Sequence, residues 1–283
     1  FFKQKTAYEI KECDWSSDVC SSDLAMTPGN VYIVAGARTP MAEYVGALKD
    51  VSAIELGAIA SRAALQRAGV KPEWVEHAVF GNVMQTSADA IYGARHIALK
   101  AGIPIEVPAL TVNRLCGSGI QAAVTGAHHI LLGEADVVLT GGMENMSQAP
   151  HVIRGLRSGL KFGQGDLEDS LYEGLRDPMC GLFMAQTAEK CAANYGISRE
   201  DQDRYAIRSQ QLASAAWQAG RIAEEVTPVE IKTRRGVTLV ETDDHLRADT
   251  TMEGLAKLRP AFSDGGTVTA GNASGIVDGA AAL

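Results

Sequence analysis

No run of apolar residues approaches the roughly 18 that a membrane-spanning helix needs, and the start of the chain lacks the basic-then-apolar order of a secretory signal. Both absences point to a globular protein of the cytoplasm with no membrane partner. Positive charge is also in short supply. The formal net charge of -8 argues against nonspecific attraction to nucleic acid, although a local basic site for a small phosphorylated ligand is compatible with it. Cysteine is sparse and unpatterned: Cys13, Cys20, Cys116, Cys180 and Cys191 form no CxxC pair and no Cys/His spacing suited to zinc. An odd number of cysteines without a secretion signal reads as free thiols, so neither a metal nor a disulfide is expected. Tandem repeats and low-complexity tracts are absent too.

What is present suffices for a substantial core. With 283 residues, 46% apolar and 21% charged, the chain can form one large or two modest domains. Phe1 to Leu24 has neither helical nor alternating periodicity. It resembles a translated sequencing-adapter artefact, or else a disordered arm, and is set aside together with Cys13 and Cys20.

From Asn30 the pattern changes. Val31 to Ala35 reads as a buried strand, and Ser52 to Glu55 as a capping box opening a helix that Gly69 terminates. Ala78 to Val83 is a second strand, Ala90 to Ala101 a second helix, and Ala109 to Val112 a third, buried strand. A helix over Ile120 to Leu132 follows, then a strand over Asp136 to Thr140 that ends in Gly141-Gly142. Strands alternating with helices imply an α/β domain with a mostly parallel sheet covered on both faces. Met143 to Asp264 departs from this rhythm. Glycine and charge crowd Ser147 to Gly174, and two helices follow, over Phe183 to Tyr195 and over Arg199 to Ala219. The second has Ser198 as cap, Asp201 completing the box and Gly220 as stop. Val226 to Lys232 and Val237 to Val240 read as a hairpin. Thr267 to Ala270 is expected to return as a strand to the first sheet, and Gly275 to Leu283 to begin a helix that stops short, as in a truncated chain.

One cysteine stands apart. Pro108 to Gly119, PALTVNRLCGSG, delivers Cys116 from a strand into glycines and a serine at the head of an alanine-rich helix. There the unpaired amides and the positive end of the helix dipole favour a nucleophilic sulfur and can donate to an oxyanion. Ligand sites of such sheets lie beyond the carboxyl ends of the strands, where Cys116 falls.

Four motifs in order, NRLCGSG, GGMENMS (Gly141 to Ser147), KLRPAF (Lys257 to Phe262) and TVTAGNASGIVDGAAAL (Thr267 to Leu283), make Val31 to Leu283 resemble the thiolases, the acetyl-CoA acyltransferases. The resemblance implies the N-terminal α/β half of a thiolase fold over 30–146, a helix-rich loop domain inserted over 147–264, and a return to the first domain over 265–283. The second half of the fold is largely missing. It implies Cys116 as the nucleophile that accepts an acyl group as a thioester. Leu175, Met184, Arg247, Phe262, Ala270 and Ser274 would contact coenzyme A, with Arg247 towards the nucleotide end and Ser274 near the pantetheine. Coenzyme A thioesters would be substrates, no separate cofactor would be needed, and the full-length protein would be a homodimer or homotetramer.

Two departures qualify this. Phe183 stands where many thiolases have histidine. The family's asparagine-glutamate motif, its GHP histidine and its CxGGG cysteine do not occur in the sequence, and His128, His129 and His151 do not match that histidine. The chain by itself is therefore expected to be inactive. Two alternatives remain at this point: a condensing enzyme of the ketoacyl carrier-protein synthase type, and a non-catalytic fragment that associates with thiolase subunits.

Overall fold

The computed structural model describes residues 30–234 and 236–283, so Phe1 to Leu24, with Cys13 and Cys20, lies outside the described residues. Among the described residues, two short strands, β1 (Ala37–Arg38) and β2 (Ala42–Glu43), precede helix α1 (Ala53–Ala68). Ser52 caps α1 by accepting from the Glu55 amide at 3.2 Å, and Gly69 ends it in the left-handed region at φ 65°. Only half of the expected capping box forms. The Glu55 carboxylate turns instead to Lys100, at 3.0 Å, and Arg62, at 3.5 Å.

Strand β3 (His77–Gly81), helix α2 (Gly93–Lys100), strand β4 (Ala109–Val112), helix α3 (Ser118–Leu131) and strand β5 (Val138–Glu144) follow as alternating elements. A helix-rich stretch then supplies α4 (Ser170–Leu175), α5 (Met184–Tyr195) and α6 (Arg199–Gln218). The hairpin β6 (Val229–Thr233) and β7 (Gly236–Val240) comes next, and β8 (Val277–Ala282) closes the sequence. In α6 the predicted box is complete: Ser198 Oγ accepts from the Asp201 amide at 3.1 Å, and the Asp201 carboxylate accepts from the Ser198 amide at 3.3 Å. Gly220, at φ 76°, stops the helix as expected.

The main sheet runs β1-β8-β5-β3-β4, with β2 also on β8. The β4, β3 and β5 strands are parallel, whereas β8 is antiparallel to β5, β1 and β2, so the sheet is mixed rather than mostly parallel. Side-chain alternation along β5 separates the covering layers. Met143 lies against Gly57 of α1 and Gly93 of α2, while a Cβ added at the adjacent Gly142 would stand 3.6 Å from Gly119 Cα of α3. Leu48, Ile54, Leu56, Phe80 and Ile97 are fully buried in the core on the α1 side.

Several expectations are corrected. Gly275 to Leu283 forms no helix. Its alanines favour one, but Gly279 interrupts the run, and pairing with β5 on one side and β1 and β2 on the other turns the segment into β8. Gly279 leaves room there for the Met41 side chain, which an added Cβ would displace. Val31 to Ala35 is not a buried strand, and Tyr32, Ile33 and Val34 are exposed. Ala37 and Arg38 pair with Ala282 and Ala281, and the described ladder does not extend to residues 31–35. Thr267 to Ala270 is a loop held by side chains rather than a strand. The β4 strand lies at the sheet edge with Leu110 41% exposed, not buried as predicted. The strand expected to stop before Gly141-Gly142 runs through both, because Gly141 has the Phe80 ring and the Ala281 carbonyl where a side chain would stand.

Candidate functional site

Cys116 occupies the turn between β4 and α3, exposed and one residue before the helix cap Gly117. The turn is strained. Leu115 has φ 50°, a conformation a branched-chain residue keeps only when its surroundings impose it. The imposing groups are local. Leu115 donates its amide to Asn113 Oδ1 at 3.0 Å, and the buried Ser118 hydroxyl donates to the Leu115 carbonyl at 2.6 Å while accepting from the Arg114 amide at 2.8 Å. Gly81, at the end of β3, abuts the start of α3: an added Cβ would stand 2.6 to 2.8 Å from Ser118 atoms. The sulfur is thus raised on a braced elbow beyond the carboxyl ends of β3 and β4.

Of the amides at the head of α3, two are already used. Gly117 donates to the Arg114 carbonyl at 3.1 Å, and Ser118 to the Leu115 carbonyl at 3.0 Å. Two of the three histidines that do not match the family's base have other partners. His129, in the last turn of α3, stacks on His77 with ring centroids 4.0 Å apart and lies 2.6 Å from Glu134; it is half-buried. His128 is exposed, and His151 lies 3.9 Å from Asp169.

The GGMENMS motif ties β5 and the turn after it to the 45–51 segment and to β8. Asn145 is fully buried and donates to the carbonyls of Leu48, at 3.1 Å, and Val51, at 2.7 Å. Ser147 bonds to the buried Asp278 of β8 and accepts from the Val45 amide at 2.8 Å. Burial raises the Glu144 carboxyl above the ordinary carboxylate range, opposed by the amides of Val83 and Met84.

A second feature lies across the segments 43–44, 245 and 261–276. A cavity of about 380 Å³ is lined by Glu43, Tyr44, His245, Phe262, Ala270 and Ser274, among others. It brings together three of the residues expected to bind coenzyme A. Cys116, Leu175, Met184 and Arg247 lie outside its lining. Arg247 is nevertheless adjacent, since its guanidinium pairs with Glu43. Leu175 is half-buried at the end of α4, and Met184 opens α5 at 49% exposure. Phe183, where the family often has histidine, packs edge-on against Tyr172 with centroids 4.4 Å apart.

Side chains fix the loop carrying Ala270 and Ser274. Glu189 accepts from the Thr267 amide and hydroxyl, each at 2.8 Å, and from the Val268 amide at 2.7 Å. Asn272 accepts from the Thr269 amide at 2.7 Å and donates to Asp203 of α6 at 2.9 Å. Sequence reasoning missed Glu43 and His245 as lining residues. The cluster of Asp243, Asp244, His245 and Arg247 was the available signal, and it carried no motif.

Among the described residues, no group of three or more His, Cys, Asp or Glu could hold a metal ion, and no helix is long and apolar enough to cross a membrane.

Comparison with known proteins agrees with this geometry. The family described as "Thiolase, N-terminal domain" matches residues 31–283. The human mitochondrial 3-ketoacyl-CoA thiolase is 51% identical over 254 residues, which is 89% of this chain and 64% of that relative. An acetyl-CoA acetyltransferase of Cupriavidus necator is 46% identical over 256 residues, covering 90% of this chain and 65% of the relative. The crystal structure of the human mitochondrial enzyme superposes with TM-score 0.86 at 51% identity, covering 89% of this chain and 64% of that one. Its complex with CoA gives 0.85 at 50% identity, covering 89% and 63%. The chain thus spans about 64% of the length of such relatives. A family match running from Val31 to Leu283, with relatives about half identical over the same span, means that this chain belongs to the thiolase family.

Proposed function

We propose that this chain supplies the nucleophile and much of the ligand site of an acetyl-CoA C-acyltransferase. The reaction is thiolytic cleavage of 3-ketoacyl-CoA or, in reverse, Claisen condensation of acetyl-CoA. The observation that carries the reading is Cys116, exposed on a braced strand-to-helix elbow. In the cleavage direction Cys116 Sγ bonds to the 3-keto carbon, the C2–C3 bond breaks, and the departing acetyl-CoA carbanion takes a proton. The acyl group then passes from sulfur to the thiol of a second coenzyme A.

Phe262, Ala270 and Ser274 would hold the pantetheine, Arg247 the nucleotide end, and Leu175 and Met184 the apolar flank. The names of the relatives, 3-ketoacyl-CoA thiolase and acetyl-CoA acetyltransferase, support the substrate class, and the CoA complex of one of them supports the ligand. Residues 30–146 and 265–283 would form the thiolase N-terminal domain and 147–264 its inserted loop domain. Assembly would be a homodimer or homotetramer. Free thiols at Cys116, Cys180 and Cys191 suit a reducing compartment such as the cytoplasm.

Acetoacetyl-CoA thiolysis by this chain, beside a longer form carrying the GHP and CxGGG motifs, tests the proposal. The longer form should turn over and lose activity on Cys116→Ala, while the 283-residue chain should be slower by on the order of a thousandfold or more, since a base and acid that act as a unit are missing from it. Full activity in the Cys116→Ala variant of the longer form would overturn the assignment.

A further inference from the structure

Arg247 is engaged by groups of its own chain. Its Nη2 donates to the Glu43 carboxylate, and its Nη1 donates to the carbonyls of Asp244, at 2.8 Å, and Leu246, at 3.3 Å. The same Glu43 oxygen lies 3.2 Å from Nδ1 of His245. The His245 ring rests on Gly275, where an added Cβ would collide with it, next to Ser274. One carboxylate therefore gathers both basic side chains at the cavity that Phe262, Ala270 and Ser274 line.

Glu43 is presented from fixed backbone. It pairs with Val277 in the β2–β8 ladder and donates its amide to Asp244 Oδ1 at 2.5 Å, while the Tyr44 amide donates to the Ile276 carbonyl at 3.0 Å. Little further backbone ordering is needed to hold the carboxylate against Arg247, in contrast to an ion pair between two free surface side chains.

We infer that Glu43 is a specificity-determining residue of this cavity: it engages Arg247 within the chain and lowers affinity for the phosphate-bearing end of coenzyme A without affecting the pantetheine end. The inference rests on the coenzyme A reading above. A phosphate approaching Arg247 must displace the carboxylate or lie beside its negative charge, and like charges brought together in a site disfavour binding. Pantetheine carries no phosphate and meets neither obstacle. Glu43, His245 and Arg247 are each more than a third exposed, which keeps the effect modest.

The test is equilibrium binding of coenzyme A and of pantetheine to the chain and to its Glu43→Gln variant, at low and high salt. Glu43→Gln should bind coenzyme A roughly threefold more tightly, the range an exposed ion pair commands, with pantetheine affinity unchanged. The gain should shrink at high salt and vanish when Arg247→Gln is added. Equal coenzyme A affinity in the chain and Glu43→Gln, an equal gain for pantetheine, or a gain that survives Arg247→Gln would each overturn the role of Glu43 while leaving the cavity's assignment standing. Failure of both ligands to bind either protein would remove the coenzyme A reading itself, and this inference with it.

Discussion

Arg38 grips Asp243 with both terminal guanidinium nitrogens, at 2.7 and 2.9 Å, although 205 residues separate the two in sequence. The same guanidinium donates through Nε to Glu225 at 2.7 Å, and Asp243 also accepts from the Met41 amide at 2.8 Å. One arginine at the edge of the main sheet thereby fastens both the chain after α6 and the chain after β7. Desolvation would raise the Asp243 carboxyl, but the Arg38 and Met41 hydrogen bonds outweigh it and hold it below the usual carboxylate range.

Asp243→Asn should therefore destabilise the chain by about 2 kcal/mol, the scale of hydrogen bonds to a charged group. Arg38→Lys should be damaging too, since a lysine keeps the charge but not the two-pronged geometry. Urea unfolding midpoints measure both, and an Asp243→Asn midpoint equal to the parent's would show that the pair only decorates the surface.

Gly81 to Ser118 is the tightest constraint on the elbow. A methyl group at position 81 would lie 2.6 to 2.8 Å from Ser118 atoms, two of them backbone, so Gly81→Ala must push the start of α3 away. The expected cost is roughly 1–3 kcal/mol, as for other overpacked sites, accompanied by slower alkylation of Cys116. Unchanged stability together with unchanged alkylation would mean that the elbow tolerates displacement.

Glu189 gives the chain an acid limit. Desolvation acts to raise its carboxyl, but donors on Val268 and Thr267 outweigh it and hold the carboxyl below its ordinary value. A depressed carboxyl contributes stability that is fully present above the unfolded value, about pH 4.3, and is lost as pH falls through the lower folded value. The loop from Thr267 to Ser274 should loosen in that window. Hydrogen exchange of the Thr267 and Val268 amides should rise there beyond its intrinsic pH dependence. In Glu189→Gln the protection of those amides should be weaker at neutral pH and insensitive to the same acid change. A variant with the parent's acid response would assign the loosening to another group.

Sequence reasoning succeeded where one short segment determines its own geometry. Ser198 with Asp201, Gly69 and Gly220 mark helix ends through contacts made within a few residues, and the Cys116 elbow depends on Asn113 and Ser118 close by. It failed where distant pairing decides. Nothing inside Gly275 to Leu283 announces that Ala282 will sit between Gly141 and Ala37, and alanine-rich composition points the other way. Glu43 likewise gains meaning only when β2 pairs with β8 and brings it to His245 and Arg247.

Accessibility alone does not single out the nucleophile, because Cys116, Cys180 and Cys191 are all exposed free thiols. Their settings differ. Cys191 lies within α5, and Cys180 makes only a 4.0 Å contact with the Asp177 carbonyl, whereas Cys116 immediately precedes the cap of α3. A helix N-terminus favours negative charge by about 0.3–1 kcal/mol, so limiting iodoacetamide should modify Cys116 first, with roughly a two- to fivefold preference. Leu115→Gly separates this from simple exposure. Glycine adopts positive φ without steric cost, so the variant should be no less stable through backbone strain, yet it no longer obliges the turn to hold one shape. The preference for Cys116 should then narrow. Peptide mapping that finds Cys180 or Cys191 labelled first in the parent chain would remove Cys116 from its proposed role, and an undiminished preference in Leu115→Gly would show that the strained elbow contributes nothing to it.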